Sequence, residues 1–524
     1  MRKGGSHNVT GAALNTDGPA SPALGSKRFM GDQEFTAVSR RVALAGFAGM
    51  AALSGLACQP VAGSERSVEL PDFRQRGDVD DNAAFRRALA ASLHIHFPAG
   101  KGTAADGAYL LSATDKDNLP SQLELSGDGA DKSVIRRSYH SGSGPFILHV
   151  DSGSADPARN VAGLVIHDLA FEDEVQERGF SEFDYLVMLN GVSDVLLRKL
   201  RFTGFRGDAL HFGSSTVSHV ERHNRRIEVR GCVFDGVNSN NRNAISVIDG
   251  DGLLIENCHF INCSRTGDGG RSAPDPMNPE TGISMPGPID LEPNQDDFAI
   301  VRNIAIRSNV FTGGGGQAVN LNLLPDFFVG TAQSGIVIEG NQIANRWGAF
   351  GVQAGANPDG KDARSNAITF AGNEVSNCNK PFIVDGLRGF VMRGNSFTDC
   401  ASMAELGYVN GNRDVVITDN IFERLGETEG GYGLWIRTVQ NLTLVNNQFV
   451  DIGLRNGTFG IAIALVDGAM QQVRISGNRF ASPRGRMKEA LTVFRDAAPR
   501  RASFVVQSNV MAFSAPNILR ALGL

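Results

Sequence analysis

The sequence predicts an all-β protein: a single-stranded right-handed parallel β-helix of about 12 coils with an N-terminal capping helix. Three observations carry this. One short pattern recurs along the chain: apolar, any residue, apolar, two polar or small residues, a turn residue, any residue, Phe. Its turn residues fall into one aligned column. Its apolar positions alternate with period two, the period of a strand, where a helical repeat would place them at i, i+3 and i+4.

The pattern first appears as Leu-Val-Ile-His-Asp-Leu-Ala-Phe at 164–171 and Val-Leu-Leu-Arg-Lys-Leu-Arg-Phe at 195–202. It returns at 227–234, 253–260, 304–311 and 336–343. The turn column reads Leu169, Leu200, Cys232, Cys258, Asn309, Asn341, Asn373, Asn395, Asn420, Asn447, Asn478 and Asn509. Its steps are 22 to 32 residues, except one of 51 between Cys258 and Asn309. Coils that stack about 4.8 Å apart turn such a column into a ladder. A stacked Asn can bond its neighbour's side chain, and it tolerates the left-handed backbone of a tight turn. The Phe two positions on is expected to point inward and stack on the Phe of the next coil. No coil can bury its own top and bottom, so only the stack is stable.

A second strand follows each turn, as in Ala-Leu-His-Phe at 209–212 and Pro-Ile-Asp-Leu-Glu at 288–292. The end coils need covers. Asp80, Asp81 and Asn82 are expected to start a helix running through Leu93, with Phe85, Ala88, Leu89 and Leu93 on its inner face. Residues 515–524 are a candidate cover at the other end.

The N-terminus reads as an address. Ser39-Arg40-Arg41 precedes 16 uncharged, mostly apolar residues, 42–57. This resembles a twin-arginine export signal, with Ala43 where that pattern has Phe and Leu44 where it expects Leu. Cys58 then suggests a lipoprotein cleavage site, although Gly55 stands where such sites carry Leu. Lipidation of Cys58, and with it an outer-envelope lipid anchor, is left open. The division expected is a disordered leader and signal over 1–63, an N-terminal cap and entry module over 64–160, and the β-helix over 161–524.

The entry module also carries a family likeness. Asp-Phe-Arg-Gln-Arg-Gly-Asp at 72–78, Asp-Asp-Asn-Ala-Ala-Phe at 80–85, His-Phe-Pro-Ala-Gly at 96–100 and Leu-Ser-Gly-Asp-Gly at 125–129 resemble the opening of the pectate-lyase-like superfamily. The resemblance covers about 68–520. It implies the pectin-lyase-like solenoid and a polysaccharide or oligosaccharide partner. It does not choose among the lyases, glycoside hydrolases, epimerases and tailspikes of that superfamily. The lyase-type Arg-x-Pro-x-x-Arg signature and the polygalacturonase set are both missing.

Composition narrows the classes further. A formal net charge of −6, with no Lys/Arg run beyond the N-terminus, excludes a nucleic-acid partner. Sixty-two glycines suit a fold with many tight turns. Together with the leader, this describes an exported chain of the periplasm, cell envelope or exterior. A homotrimer is left open. No Cys/His spacing resembles a zinc site. Cys378 and Cys400 fall on consecutive coils, either as stacked buried thiols or as a disulfide.

Aligning the second strands by their inward residues places His211, Ser246, Asp290 and Asn320 in one outward column, and Glu292, Asn322 and Gln353 in the next. Asp290 and Glu292 stand i, i+2 on one strand, roughly 6–7 Å apart at Cα. Two carboxylates so placed suit acid/base work on a glycosidic bond, because mutual repulsion keeps one proton in the pair. His211 shares the column and joins them as a catalytic candidate. Arg242, Asn320, Asn322 and Gln353 are the substrate-binding candidates. No Lys or Arg lies on the Asp290 strand to neutralise it. The long step adds a Gly/Pro-rich insert, 265–282, just before that strand, and 323–334 carries Phe327 and Phe328; both look like cleft walls. Asp249 and Asp251 are candidate Ca²⁺ ligands, with an ordinary Asp-Gly turn as the competing reading. The solvated outer face of a solenoid is the competing reading for the carboxylates. Cleavage by a carboxylate pair, lyase or epimerase chemistry on a uronate polymer, and glycan binding by an inert rod remain the functional alternatives.

Overall fold

Each coil runs through three strands, and the computed structural model describes it over residues 66–140, 142–214, 221–265, 287–294, 299–323, 332–354, 366–407, 411–466, 470–494 and 504–512. One coil reads Val192–Arg198, Arg201–Thr203, Leu210–Gly213, and then Arg225–Arg230 one level on. Equivalent strands pair in parallel with their counterparts in the next coil. The described residues thereby form three parallel sheets of 16, 14 and 12 strands, with strand order following chain order. The fold is a right-handed parallel β-helix. Its first sheet begins at Val68–Glu69 and ends at Phe504–Gln507, so strands of the entry module stack in the same sheets as the later coils.

The column of turn residues is a bonded ladder from Asn309 to Asn509. Each Asn Nδ2 donates to the Oδ1 of the next, at 2.8–3.1 Å. Each backbone N–H donates to that same Oδ1, at 2.9–3.0 Å. A second Nδ2 proton goes to a carbonyl of the preceding coil, as from Asn309 to Ile255 at 3.0 Å. The two cysteines of the column imitate this: Cys232 Sγ reaches the Leu197 carbonyl at 3.7 Å and Cys258 Sγ the Val229 carbonyl at 3.6 Å.

One expectation about the ladder needs correcting. The left-handed backbone does not fall on the ladder residue. It falls on the residue before it: Asp168, Lys199, Gly231, Asn257, Ser308, Gly340, Gly372, Gly394, Asp419, Asn446, Gly477 and Ser508 all have φ between 52° and 67°. The turn's strain is taken by a neighbouring residue that is Gly or a short polar one in every coil but that of Lys199. Asn is therefore there for its bonding pattern alone.

Phe171, Phe202, Phe234, Phe260 and Phe311 stack inside, with centroids 4.6–5.4 Å apart. Ile343 and Val375 continue the file before Phe397, Phe422, Phe449 and Phe480 resume it. The five described cysteines are free and buried, so Cys378 and Cys400 are stacked thiols. Burial pushes the Cys378 thiol up to about 11.

The N-terminal helix spans Asn82–Ala91, two residues shorter than expected, because the chain turns extended at Ser92. Ala84, Phe85 and Ala88 are buried against the first coil, with Leu89 partly covered. Asp81 occupies the N-cap position without capping. Its carboxylate is drawn away by Arg74 Nε (2.7 Å), the Thr103 hydroxyl (2.7 Å) and the Leu110 N–H (2.9 Å), and so ties the helix to the loop beyond it. The covering segment expected at 515–524 lies outside the described residues, as do Cys58 and the leader.

Candidate functional site

The 12-stranded sheet carries the site on its outer face. Register pairs His211 with Ser246, Ser246 with Asp290, and Asp290 with Asn320. Four outward side chains therefore stand in line at about 4.8 Å per step, which puts His211 and Asp290 roughly 10 Å apart at Cα. Glu292 follows the strand Ile289–Leu291 and donates its N–H to the Val247 carbonyl at 3.0 Å. Asn322 sits beside it and pairs in register with Gln353, whose side chain lies outside the described residues.

The two carboxyls differ in environment. Asp290 is wholly buried, while the Glu292 side chain keeps 37% exposure. Asn320 Nδ2 donates to Asp290 Oδ1 at 3.1 Å, and Asn322 Nδ2 to Glu292 Oε1 at 3.1 Å. Among the described residues no donor reaches Asp290 Oδ2, and Glu292 is a side-chain hydrogen-bond partner of the protonated carboxyl. Burial pushes the Asp290 carboxyl well above the usual carboxylate range, and the charge of Glu292 adds to it against the opposing Arg242. Asp290 therefore keeps its proton to higher pH than an ordinary carboxyl does, with Glu292 as the accessible carboxyl beside it.

The absence of a cation on that strand does not leave the pair unneutralised. Arg242, in the turn before the middle rung, reaches Glu292 Oε2 with Nη2 at 3.3 Å. Its Nη1 donates to both oxygens of Asp208, at 3.2 and 3.0 Å. Asn243 holds it from beneath: with its amide nitrogen on the Gly287 carbonyl (2.9 Å), its oxygen accepts from Arg242 Nη1 (3.2 Å) and Ser246 Oγ (2.8 Å). Arg242, the candidate substrate cation, is 14% exposed in its side chain and is the hub of an ion network.

His211 belongs to the same network. Its Nδ1 faces Asp208 Oδ2 at 3.0 Å, and its ring lies flat on Tyr185, with centroids 4.5 Å apart and planes 9° apart. Burial raises the Asp208 carboxyl, but Arg242 and His211 outweigh that and hold it below the usual range. Asp208 is thus an ionised orienter that fixes the imidazole, leaving Nε2 without a partner among the described residues. Such a histidine can take a proton from water.

Several members of this site were not singled out from the sequence. Asp208 stands in the turn before His211. Glu182, Phe183 and Tyr185 come from the loop preceding Val187–Asn190. Glu182 Oε1 lies 4.0 Å from Arg242 Nε, and Phe183 is 67% exposed. An Asp three residues before a strand histidine was the available signal for Asp208.

Asp249 and Asp251, the candidate Ca²⁺ ligands, have their oxygens engaged by protein donors. Asp249 is buried and accepts from His223 Nδ1 (2.9 Å) and the N–H groups of Asn224 (2.9 Å) and Ile300 (2.8 Å). Asp251 pairs with Arg302 Nη2 (2.7 Å) and Asn303 Nδ2 (2.8 Å). Backbone and side-chain donors have taken the oxygens a cation needs. Among the described residues no group of three His, Cys, Asp or Glu is placed to hold a metal. The insert at 266–286 and the loop at 324–331, with Phe327 and Phe328, lie outside the described residues.

A solenoid whose three sheets stack coil on coil, with a polar network on one outer face, defines the class as a right-handed parallel β-helix protein. A family model described as right handed beta helix region matches residues 302–480. No curated protein matches the chain. Among solved structures, a tailspike protein of Escherichia coli bacteriophage HK620 superposes with TM-score 0.53 at 15% identity, covering 84% of this chain and 80% of its own. The A-module of a mannuronan C-5 epimerase from Azotobacter vinelandii gives TM-score 0.51 at 13% identity, covering 86% of this chain and 100% of its own. At these identities the likeness is one of fold.

Proposed function

We propose that this chain is an exported polysaccharide-active protein that cleaves glycosidic bonds on the outer face of its 12-stranded sheet. The observation that carries the reading is a proton-holding Asp290 beside an accessible Glu292, two rungs from an Asp208-oriented histidine. The Asp290–Glu292 pair supplies the proton that the leaving glycosidic oxygen needs as the C–O bond breaks. His211 Nε2 takes a proton from water as its oxygen bonds to the anomeric carbon. Phe183 at the lip and Asn320 and Asn322 along the face supply stacking and hydrogen bonds to sugar. The leader at 39–57, with or without lipid on Cys58, supports export to the periplasm, envelope or exterior.

A second reading, lyase or epimerase chemistry on a uronate polymer, is favoured by Tyr185 lying against His211 with Arg242 in the same network. One experiment separates the two. The mature chain is incubated with a panel of acidic and neutral polysaccharides, and reducing ends and unsaturated-uronate absorbance are read together. Hydrolysis gives reducing ends without the absorbance, and Glu292→Gln lowers the rate about 10²–10⁴-fold with the fold intact. Reducing ends that rise with the absorbance, or survive Glu292→Gln, reject hydrolysis by this pair. Binding without product across the panel marks a glycan-binding rod.

A further inference from the structure

We propose that Trp435 and the rings around it form a second glycan-binding subsite on the same face as Glu292, holding the distal part of a long polysaccharide chain. The inference deepens the reading above and rests on it for the class of ligand.

Trp435 continues the site's own column. Register runs from Asp290 to Asn320, Gly351, Ile383, Glu405 and Trp435. Five steps of about 4.8 Å put Trp435 roughly 24 Å along the axis from Asp290. The step at Gly351 carries no side chain and leaves the column low there, where a Cβ would meet the Gln317 side chain at 2.6 Å. At the far end the surface becomes aromatic. Tyr432 packs edge-on to Trp435 at 4.5 Å, Phe459 edge-on to Tyr432 at 5.2 Å, and Phe494 lies 6.1 Å from Trp435. These four rings come from three successive coils, and all four are partly exposed.

The sequence allows the gathering through small residues. Ala464 is the register partner of Trp435, points outward between Trp435 and Thr492, and is nevertheless wholly buried. Alanine there leaves room for rings from the coils on either side to close over it. The apolar faces of pyranose rings stack on such surfaces, while an indole N–H supplies a polar edge. Trp435 makes no hydrogen bond among the described residues and is only partly buried, so its N–H is available to a ligand hydroxyl. Elsewhere on this column the outward groups are short and polar, aliphatic, or engaged: Glu405 is paired with Lys380. The ring cluster therefore stands as an aromatic platform in line with the carboxylates, on the far side of them from the Tyr185–His211 stack. A chain anchored there raises the effective concentration of its own glycosidic bonds at Glu292.

The test uses the full mature chain carrying Trp347→Phe, which leaves Trp435 as the only one of two tryptophans. Trp347 Nε1 is buried without a partner, so Phe is tolerated there. Indole emission is followed while alginate, polygalacturonate, xylan and dextran, each as polymer and as disaccharide, are titrated in. The proposal expects a saturable change with at least one polymer and none with its disaccharide. It expects Trp435→Ala to weaken polymer binding about tenfold, the equivalent of about 1.4 kcal/mol, with Trp435→Phe recovering most of the loss. Indifference of Trp435 to every polymer, or a Trp435→Ala affinity within twofold of the parent, overturns it. Glu292→Gln separates the two proposals. A Trp435 response without Glu292-dependent product keeps the subsite and rejects hydrolysis. Glu292-dependent product with a silent Trp435 keeps hydrolysis and rejects the subsite.

Discussion

Asn420→Ala removes one rung from the middle of the ladder, and its cost can be worked bond by bond. The Asn420 oxygen accepts the Asn395 backbone N–H at 2.9 Å and the Asn395 Nδ2 at 2.8 Å. Its nitrogen donates to Met392 O at 3.1 Å and Asn447 Oδ1 at 2.9 Å. Asn395 and Asn420 are both sealed from solvent. Alanine leaves two buried donors on Asn395 with no acceptor and no water. At roughly 1–3 kcal/mol for each orphaned donor, the loss is about 2–6 kcal/mol. Asn509→Ala is the internal control. It deletes the same two bonds, from the equally buried Asn478 at 2.9 and 3.1 Å, but the residue truncated is partly exposed, so its removal opens those donors to water. Its cost is about 1 kcal/mol. Because coils of a solenoid open locally, native-state hydrogen exchange of the Asn395 amide is the assay, supported by urea denaturation. Exchange at Asn395 should accelerate about 30-fold or more in Asn420→Ala, and the Asn478 amide far less in Asn509→Ala. Equal effects at the two rungs would refute the ladder as a source of stability.

Two further outcomes follow from buried charge. Asp290 holds its proton in the folded chain at pH values where the unfolded chain, with an ordinary carboxyl near about 3.9, has lost it. Stability should fall as pH rises above about 4 and through the raised folded pKa. Buried Asp173 and Asp249 are raised in the same direction, so Asp290→Asn should reduce that slope without abolishing it and be at least as stable as the parent at neutral pH, while losing turnover; Tm measured against pH checks it, and a slope unchanged from the parent rejects the assignment. Arg346 is buried and spends its donors on the carbonyls of Gly348 (3.1 Å), Gly313 (2.9 Å), Gly315 and Gly316 (3.4 Å), with burial pulling its pKa down to about 10. Arg346→Met should therefore cost about 3–5 kcal/mol in denaturant unfolding, and a loss below about 1 kcal/mol would show that these carbonyls find other partners.

The fold was legible because a solenoid repeats its instructions. A ladder residue and an inward Phe recur in one short motif, and register follows from aligning them. The outward column of His211, Ser246, Asp290 and Asn320 came from that same alignment. What did not come from it lies between strands. Arg242, Asp208 and Tyr185 reach the face from turns whose path no repeat dictates, so the lack of a basic residue on the Asp290 strand was misleading. The engagement of Asp249 and Asp251 was missed for a related reason. Their partners, His223, Asn224, Ile300, Arg302 and Asn303, stand on neighbouring coils or turns, and a motif read along one coil misses donors that arrive from the next.

The alternative of a plain solvated face predicts something different from what is seen. On such a face outward carboxylates stay exposed and ionised, since water solvates them at no cost in stability. Asp290 is instead sealed, has an oxygen that no donor reaches among the described residues, and is pressed against a second carboxyl. Asp208, Arg242 and His211 add further charge to the same strip. The ladder and the Phe file stabilise the stack without any of these groups. Local arrangements that work against stability, on a scaffold otherwise consistent at every level, are where function is kept. The raised Asp290 carboxyl beside the more open Glu292 is therefore the feature on which the proposed chemical role rests.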